Sequence, residues 1–355
     1  MLSGIKIFTN SNMKINQTFN LNEISKNKIY LMGIATLLVT IKHSSIVFEW
    51  MNNLGRVGSA VRVLFFYFKY LGHVGVDIFL ILSAAGLYFS LNKDSSIKNY
   101  YIRRIKRILP ATIIYMIIWY LIIQNRSVLD ILKIISGYNL FTTGERDIWY
   151  ITYILILYFI YPFLYKCEKK QGRKIYIALI VLILFRNYIY SIFDPIHFDN
   201  IEIALRRTPI FLLGCYFAKD IKNGRTIKKA LSVSIILLIA SFGLTIKGYE
   251  SGTELWSRLD RYVGNVYAIS VIIASIYVIS IIRRKVYEVI KWIGMYSLEI
   301  YLIFDKVLLL FEKYIVIQNK NYSIFTNIIC FVITCVLSFL LKKFTTQVNK
   351  LIITN

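Results

Sequence analysis

Charged residues are scarce in this chain: they make up 17% of its 355 residues, whereas hydrophobic residues make up 57%. A soluble domain carries nearer a quarter charged residues. The mean hydropathy of +0.58 points the same way, because soluble chains break their apolar residues into short amphipathic runs. The scarcity of charge excludes a soluble enzyme and a disordered chain, and it predicts a polytopic membrane protein.

Acidic residues and cysteines are rarer still. Only 19 aspartates and glutamates oppose 43 lysines and arginines, which gives a formal net charge of +24. In a membrane protein this excess is typical of basic loops that face an anionic leaflet, so we expect no nucleic-acid partner.

The four cysteines lack the spacing of a metal site, and Cys330 and Cys335 lie within the last apolar segment. We therefore expect neither a metal centre nor a disulfide framework.

Long apolar segments make up most of the chain, and each is close to the roughly 20 residues that a helix needs to cross a bilayer. Strand-like alternation, repeats and low-complexity tails are lacking. The sequence predicts an all-α membrane protein, a bundle of about ten transmembrane helices, with an N-terminal segment at 1–28, a membrane domain at 29–341 and a tail at 342–355. The apolar segments lie at about 29–48, 72–92, 108–124, 148–165, 175–193, 201–218, 229–247, 262–282, 292–312 and 322–341.

The loops between these segments alternate in their content of basic residues. The set of loops that begins with the N-terminus holds more than twice as many lysines and arginines as the other set. Basic loops remain in the cytoplasm, so we expect both termini to be cytoplasmic. Two short stretches, 57–70 and 129–140, lie on the outer side, and the second suits an interfacial helix as well as a re-entrant one.

Ionisable residues inside the apolar segments gather in one layer, on the outer side of the bilayer centre. Such residues are costly in a membrane and tend to mark function. The layer contains His43 in the first segment, Asp77 in the second, Arg207 in the sixth and Asp305 in the ninth, where Glu299 lies nearer the middle. The layer is therefore the first place to look for catalytic groups.

His43 is the candidate general base, because a neutral imidazole near pH 7 accepts a hydroxyl proton. Asp77 lies at similar depth and would orient the ring and stabilise the imidazolium. The alternative is a histidine that only joins packed helices. Trp149 suits either a site or an aromatic belt, and Glu299 and Arg207 suit either substrate contacts or bonds between helices.

A basic cluster marks the inner surface before the third segment. Arg103 and Arg107 are four residues apart and Arg104 and Arg107 are three apart, so one helix start presents several guanidinium groups. Guanidinium groups bind phosphate oxygens in a bidentate manner. The alternative is a stop-transfer cluster that fixes the topology and contacts lipid headgroups.

Several stretches of the chain follow one another in an order that is typical of a known family. They are an apolar segment that ends in His43, a Gly-Val-Asp segment, a basic motif that ends in Pro110, and further motifs near 149–162, 207–214 and 296–303. Together they resemble the acyltransferase 3 family of bacterial integral-membrane O-acyltransferases.

The resemblance implies a function, a donor and a set of site residues. The reaction would move an acyl group, acetyl in many members, from cytoplasmic acyl-CoA to a hydroxyl of an extracytoplasmic glycan or lipid-linked sugar at the bacterial cell membrane. Acyl-CoA would be a donor substrate and no cofactor would stay bound. His43 would be the catalytic histidine, and Arg103, Arg104 and Arg107 would lie near the CoA phosphates.

The spacing along the first segment suits this arrangement. A helix rises roughly 16 Å between position 32 and His43. This rise is comparable to the reach of a pantetheine arm, so the donor thioester and an outside acceptor would meet although CoA never crosses the membrane.

Two residues depart from the family pattern. Met32 stands where the family usually has an arginine, and Phe304 stands where a histidine is common. Lys28, one turn before Met32, would replace the arginine as a point charge, and Asp305 would take over part of the histidine's role. The alternatives are a weakened or inactive family member and a transporter for a glycan intermediate.

Overall fold

The computed structural model describes residues 18–44, 72–251, 254–316 and 324–354, so the outer stretch at 57–70 lies outside the described residues. Most of the described chain is helical, with π-helical turns at Ile117–Ile123 and Glu312–Val316. The helices are α1 (Asn22–Lys26), α2 (Lys28–His43), α3 (Val74–Lys93), α4 (Ile97–Met116), α5 (Val128–Ile135), α6 (Tyr138–Thr142), α7 (Trp149–Gln171), α8 (Lys174–Phe193), α9 (Pro195–Leu205), α10 (Thr208–Asn223), α11 (Ala230–Ser251), α12 (Glu254–Val278), α13 (Arg284–Met295), α14 (Ser297–Phe311) and α15 (Ile324–Thr354).

Within the described ranges, 5 helices are long and apolar enough to cross a membrane. They are α3, α4 with its π-helical extension, α7, α8 and the Thr326–Lys350 part of α15. Shorter apolar stretches occur at Ala230–Thr245 in α11 and Tyr262–Val278 in α12. The protein is therefore a helical multi-pass membrane protein, as the hydropathy predicts.

Two short strands modify the all-α prediction. Strand β1 (Thr18–Asn20) pairs antiparallel with β2 (Thr226–Lys228), so that Phe19 lies opposite Ile227. Each strand has 3 residues, which is too short for alternation to be recognised in the sequence. Phe19 is fully buried, so the pair fastens the start of the described chain to the turn after α10.

Two of the predicted apolar segments are each broken into two helices. The segment at 201–218 breaks at Arg206 and Arg207, between α9 and α10. Pro209 lies in the first turn of α10, where a proline is favoured because it needs no backbone donor. The segment at 292–312 breaks at Tyr296, between α13 and α14. The two breaks place Arg207 and Tyr296 immediately before the first turn of a new helix.

Helix α3 lies at the centre of the bundle. It packs against α2, α10 and α12, while α14 packs against α2, α4 and α15. Of the 18-residue apolar stretch of α3, 72% is buried inside the protein, whereas only 11% of the corresponding stretch of α8 is buried. Helix α5 also exposes an apolar face, at Val128, Leu129 and Leu132, as an interfacial helix does. The exposed apolar surfaces of α8 therefore face lipid, and α3 forms the core.

Helices α2 and α13 touch at the level of their backbones. A methyl group added at Gly33 would overlap the carbonyl oxygen of Ile290, and one added at Gly294 would overlap that of Ile29. This close crossing fixes the position of α2 in the bundle, and α2 carries both Met32 and His43.

Candidate active site

A narrow cavity of about 90 Å³ lies between α2, α3, α4, α7 and α14. Side chains at 32, 36, 39, 40 and 43 bring one face of α2 to it, in agreement with the helical repeat. Most of the wall is apolar. The polar and charged residues in the wall are Thr36, Thr40, His43, Ser83, Arg107, Tyr150, Tyr158, Ser297, Tyr301 and Asp305.

His43 and Asp305 lie side by side at one end of this cavity. Nδ1 of His43 is 3.2 Å from Oδ1 of Asp305, and the two side chains are 43% and 44% exposed. A carboxylate beside Nδ1 favours the tautomer that carries its proton there, which leaves Nε2 with a lone pair. The pair can therefore accept a proton at Nε2 while Asp305 stabilises the resulting imidazolium.

Asp77 is not the carboxylate that contacts His43, contrary to the prediction from depth. Its Oδ1 lies 3.2 Å from Nε of Arg207, and the two side chains are 2% and 3% exposed. Arg207 also donates from Nη1 to the carbonyl oxygen of Ile203, and its guanidinium lies 5.1 Å from the ring centroid of Trp149. Asp77, Arg207 and Trp149 thus form one buried cluster that joins α3, α10 and α7.

The three arginines of the basic cluster point to different places. Arg103 donates to Asp94 at 2.9 Å and to Oγ of Ser90 at 3.1 Å. Hydrogen bonds from Arg103, from the backbone of Ser96 and from Asn99 lower the pKa of Asp94 to about 2. Arg104 turns into the bundle, where it donates to the carbonyl oxygen of Gly86 at 3.1 Å. The first two arginines are therefore occupied by protein partners.

Arg107 is the arginine that faces the cavity. No ion pair joins it to another residue of the described ranges, and its side chain lines the end of the cavity away from His43. A guanidinium in this position can bind a phosphate without first giving up a carboxylate partner.

A wider cavity of about 430 Å³ continues from this end, between α2, α4, α14 and α15. It shares four lining residues with the narrow one, namely Met32, Arg107, Ser297 and Leu298. The two cavities therefore adjoin at these residues, and together they extend from Lys106 and Lys342 to His43 and Asp305.

Lys28 lies close to the basic cluster. A methyl group added at Gly86 would be 2.9 Å from Nζ of Lys28. Burial and the neighbouring charges of Arg107 and Arg104 lower the pKa of Lys28 to about 8. A positive charge thus stands one turn before Met32, as expected for a partial replacement of the family arginine.

The remaining predicted residues line one cavity each. Phe304 lines the narrow cavity and packs edge-on against Phe331 of α15, with ring centroids 6.2 Å apart. Glu299 lines the wide cavity, and its Oε2 lies 3.9 Å from Nζ of Lys342. Glu299 therefore both joins two helices and faces the space in which a ligand would lie.

Sequence reasoning missed Tyr301, whose side chain lines the narrow cavity beside Asp305. With 27 tyrosines in the chain, the residue type alone carries no signal. The spacing does carry one, because Ser297, Tyr301 and Asp305 follow at intervals of four residues and therefore share one face of α14.

The family model described as an acyltransferase domain matches residues 29–343. This range includes both members of the His43–Asp305 pair and all three arginines of the basic cluster. No curated protein and no solved structure matches the chain.

Proposed function

The chain belongs to this acyltransferase family and is a membrane acyltransferase, and we propose that it moves an acyl group, acetyl in the first instance, from cytoplasmic acyl-CoA to a hydroxyl group of an extracytoplasmic glycan or lipid-linked sugar. We further propose that it crosses a bacterial cell membrane about ten times with both termini in the cytoplasm.

One observation carries the proposal: two adjoining cavities meet at Arg107, and the narrow one leads from there to His43 and Asp305. The donor's phosphates would bind at the arginine end. Its pantetheine arm would extend through the narrow cavity, whose largely apolar wall suits an acyl thioester. The acceptor hydroxyl would approach from the end at which His43 is half-exposed.

The proposed reaction is a direct transfer. Nε2 of His43 takes the proton of the acceptor hydroxyl, and the oxygen attacks the carbonyl carbon of the thioester. The C–S bond breaks as the new C–O bond is completed, and the imidazolium returns the proton to the departing thiolate of CoA. Asp305 stabilises the imidazolium between these steps, so atoms and charge balance without a further reactant.

Replacement of His43 tests the proposal. The His43→Ala chain and the wild-type chain are expressed in matched strains, and acyl groups on the surface glycan are measured by mass spectrometry. We expect acylation to fall by about 10²-fold to 10⁴-fold, the usual contribution of a general base. Unchanged acylation in the variant would contradict the role of His43, and lost glycan export with normal acylation would favour a transporter.

His197 offers a matched control. It also pairs with a carboxylate, because its Nδ1 lies 3.0 Å from Oδ1 of Asp194, but it lies on α9 and lines neither cavity. The His197→Ala chain should acylate the glycan at the wild-type rate.

Substitution of Met32 tests whether the lack of the family arginine weakens the enzyme. Met32 lies where the two cavities meet, so a guanidinium there would face the donor. If its absence weakens donor binding, Met32→Arg should lower KM for acetyl-CoA, whereas Met32→Leu should leave it unchanged. A Met32→Arg chain without any gain would mean that Lys28 already supplies the needed charge.

A further inference from the structure

Helix α15 is longer than a crossing of the bilayer requires. Its 31 residues span about 46 Å at 1.5 Å per residue, compared with a hydrocarbon core of roughly 30 Å. Asn349 donates from Nδ2 to the carbonyl oxygen of Lys106 at 3.1 Å. Nζ of Lys342 contacts the carbonyl oxygen of Met295 and lies 4.9 Å from the ring centroid of Tyr296. The last turns of α15 are thus held against α4 and the junction of α13 with α14.

One face of these turns forms a wall of the wide cavity. Lys342, Thr345, Thr346 and Asn349 line it, and their spacing of three to four residues places them along one side of the helix. Lys343 points elsewhere, because it is exposed and does not line the cavity.

The charges that surround the wide cavity are mostly positive. Lys106 and Arg107 line it from α4 and Lys342 lines it from α15, whereas Glu299 is the one carboxylate among its lining residues. The ion pair of Glu299 and Lys342 is long, at 3.9 Å, and the Lys342 side chain is 39% exposed. An ammonium in this position can turn from a distant carboxylate to a closer phosphate oxygen.

The size of the cavity also suits a nucleotide. Its volume of about 430 Å³ lies within the range of roughly 300–1,000 Å³ that small-molecule sites have. The narrow cavity, at about 90 Å³, has room for a thin chain only.

We propose that the last turns of α15 form the second wall of the site for the nucleotide head of acyl-CoA, where Lys342 binds a phosphate group of that head. Asn349 and Thr346 border the same space on the side of the nucleoside. The inference rests on the proposed donor, and it adds a helix end that the basic cluster does not contain. Lys342 lies just inside the matched range, and Thr345, Thr346 and Asn349 lie beyond its end at residue 343.

Binding of CoA to the purified full-length chain in detergent tests this inference. Isothermal titration gives Kd for CoA and for adenosine 3′,5′-bisphosphate, which has the nucleotide head without the arm. We expect Lys342→Ala to raise both Kd values roughly tenfold or more, the usual effect of losing one charge-assisted hydrogen bond. Lys343→Ala, which removes the same charge from the neighbouring position, should leave both values unchanged.

Two further variants separate binding from folding. Lys342→Arg keeps the charge and should retain most of the affinity for CoA. Lys342→Gln keeps most of the side-chain volume and should bind as weakly as Lys342→Ala. Apparent melting temperatures near the wild-type value would show that these chains fold.

The possible results distinguish the inference from the proposed function. If wild type binds CoA and Lys342→Ala binds it equally well, the wall formed by α15 is refuted and the proposed function stands. If wild type binds no CoA, the proposed donor fails and the inference fails with it. If the Lys342 substitutions weaken binding of dihexanoyl phosphatidylglycerol but not of CoA, the site serves a lipid headgroup and the inference is wrong.

Discussion

At the scale of single residues, two pairs of an acidic and a basic side chain differ in their burial. The side chains of Asp77 and Arg207 are 2% and 3% exposed, whereas those of His43 and Asp305 are 43% and 44% exposed. A charge that is buried without its partner is strongly destabilising, but a pair at the end of an open cavity can lose one member at little cost to the fold. The first pair therefore supports the structure, and the second is available for chemistry.

Substitution of the two aspartates should separate these roles. Asp305→Asn should lower the acylation rate about tenfold or more, because the imidazolium that forms during the transfer then lacks the carboxylate that stabilises it. Its apparent melting temperature should hardly change. Asp77→Asn should destabilise the fold by about 3–5 kcal/mol, since Arg207 is left buried without its carboxylate.

Measured rates and melting curves of the two variants check this contrast. If the Asp77→Asn chain stays stable but loses its activity, and the Asp305→Asn chain keeps its activity, then Asp77 is the residue that orients His43.

Lys28 should make donor binding depend on pH. Its pKa is lowered to about 8 from the ordinary 10.5, so it is mostly protonated at pH 7 and loses its charge as the pH rises through 8. The charged groups that face it, Arg107 and Arg104, stay protonated throughout, and a phosphate monoester titrates near pH 6, outside this window. The affinity for CoA should therefore fall above pH 8, by at most about tenfold per pH unit.

Titrations with CoA between pH 7 and 9.5 measure this effect, and Lys28→Arg supplies the control. An arginine keeps its charge over the whole window, so its affinity for CoA should not vary with pH. If the affinity for CoA varies equally with pH in both chains, a group other than Lys28 causes the pH dependence.

The sequence indicates how deep a residue lies, but not which residue it faces. The hydropathy pattern predicts the outer layer for His43, Asp77 and Asp305 alike. The choice between the two aspartates depends on how α3 and α14 are rotated about their axes, which only packing decides. The basic cluster has the same limitation, because the spacing of its arginines does not reveal that Arg103 and Arg104 bind Asp94 and Gly86.

At the scale of helices, the crossing of α2 and α13 determines where the first helix sits. Gly33→Ala should destabilise the protein by about 1–3 kcal/mol, because the added methyl group meets a backbone carbonyl oxygen that cannot rotate away. The apparent melting temperature in detergent is the measurement. Activity should fall as well, since the neighbouring Met32 lines both cavities.

Gly243 is a matched control for this substitution. It lies within α11 and an added methyl group would have nothing within 4 Å. Gly243→Ala should leave the stability unchanged or raise it by up to about 1 kcal/mol, because alanine favours the helix. Equal losses of stability in both variants would argue against a special role for the crossing.

Apolar runs predict that a helix is present better than they predict where it ends. The segments at 201–218 and 292–312 read as continuous in hydropathy, yet each contains a break between two helices. Hydropathy does not show where a chain changes direction. The residues that mark the two breaks, Pro209 and Tyr296, are single residues within apolar surroundings. Helix α15 likewise continues beyond residue 341, where the apolar segment ends, because hydropathy gives no helix signal for the polar run from Lys342 to Lys350.

At the scale of the whole molecule, the alternation of basic loops predicts which face is cytoplasmic. In a chain without its native cysteines, Ser136→Cys in the loop after α5 should react with an impermeant maleimide on intact cells. Lys98→Cys at the start of α4 should react only after lysis. Both positions are exposed, so access across the membrane decides the result. Reaction of Lys98→Cys on intact cells would reverse the orientation.

The general architecture follows from composition, because a chain with this little charge has few ways to fold other than as a helical bundle in a membrane. The arrangement of the bundle does not follow. Helices α3 and α8 have equal hydropathies. Hydropathy therefore does not predict that other helices cover α3 and leave α8 at the periphery.

The narrow cavity has a consequence for the energetics of the host cell. A protein with one opening towards each side of a bilayer risks becoming a leak for protons and sodium ions. The narrow cavity, at about 90 Å³, has a mostly apolar wall that includes Met32 and Phe304, and apolar constrictions disfavour a continuous file of water. On the proposed function, the apolar side chain of Met32 would therefore help to keep the membrane insulating while no donor occupies the cavities.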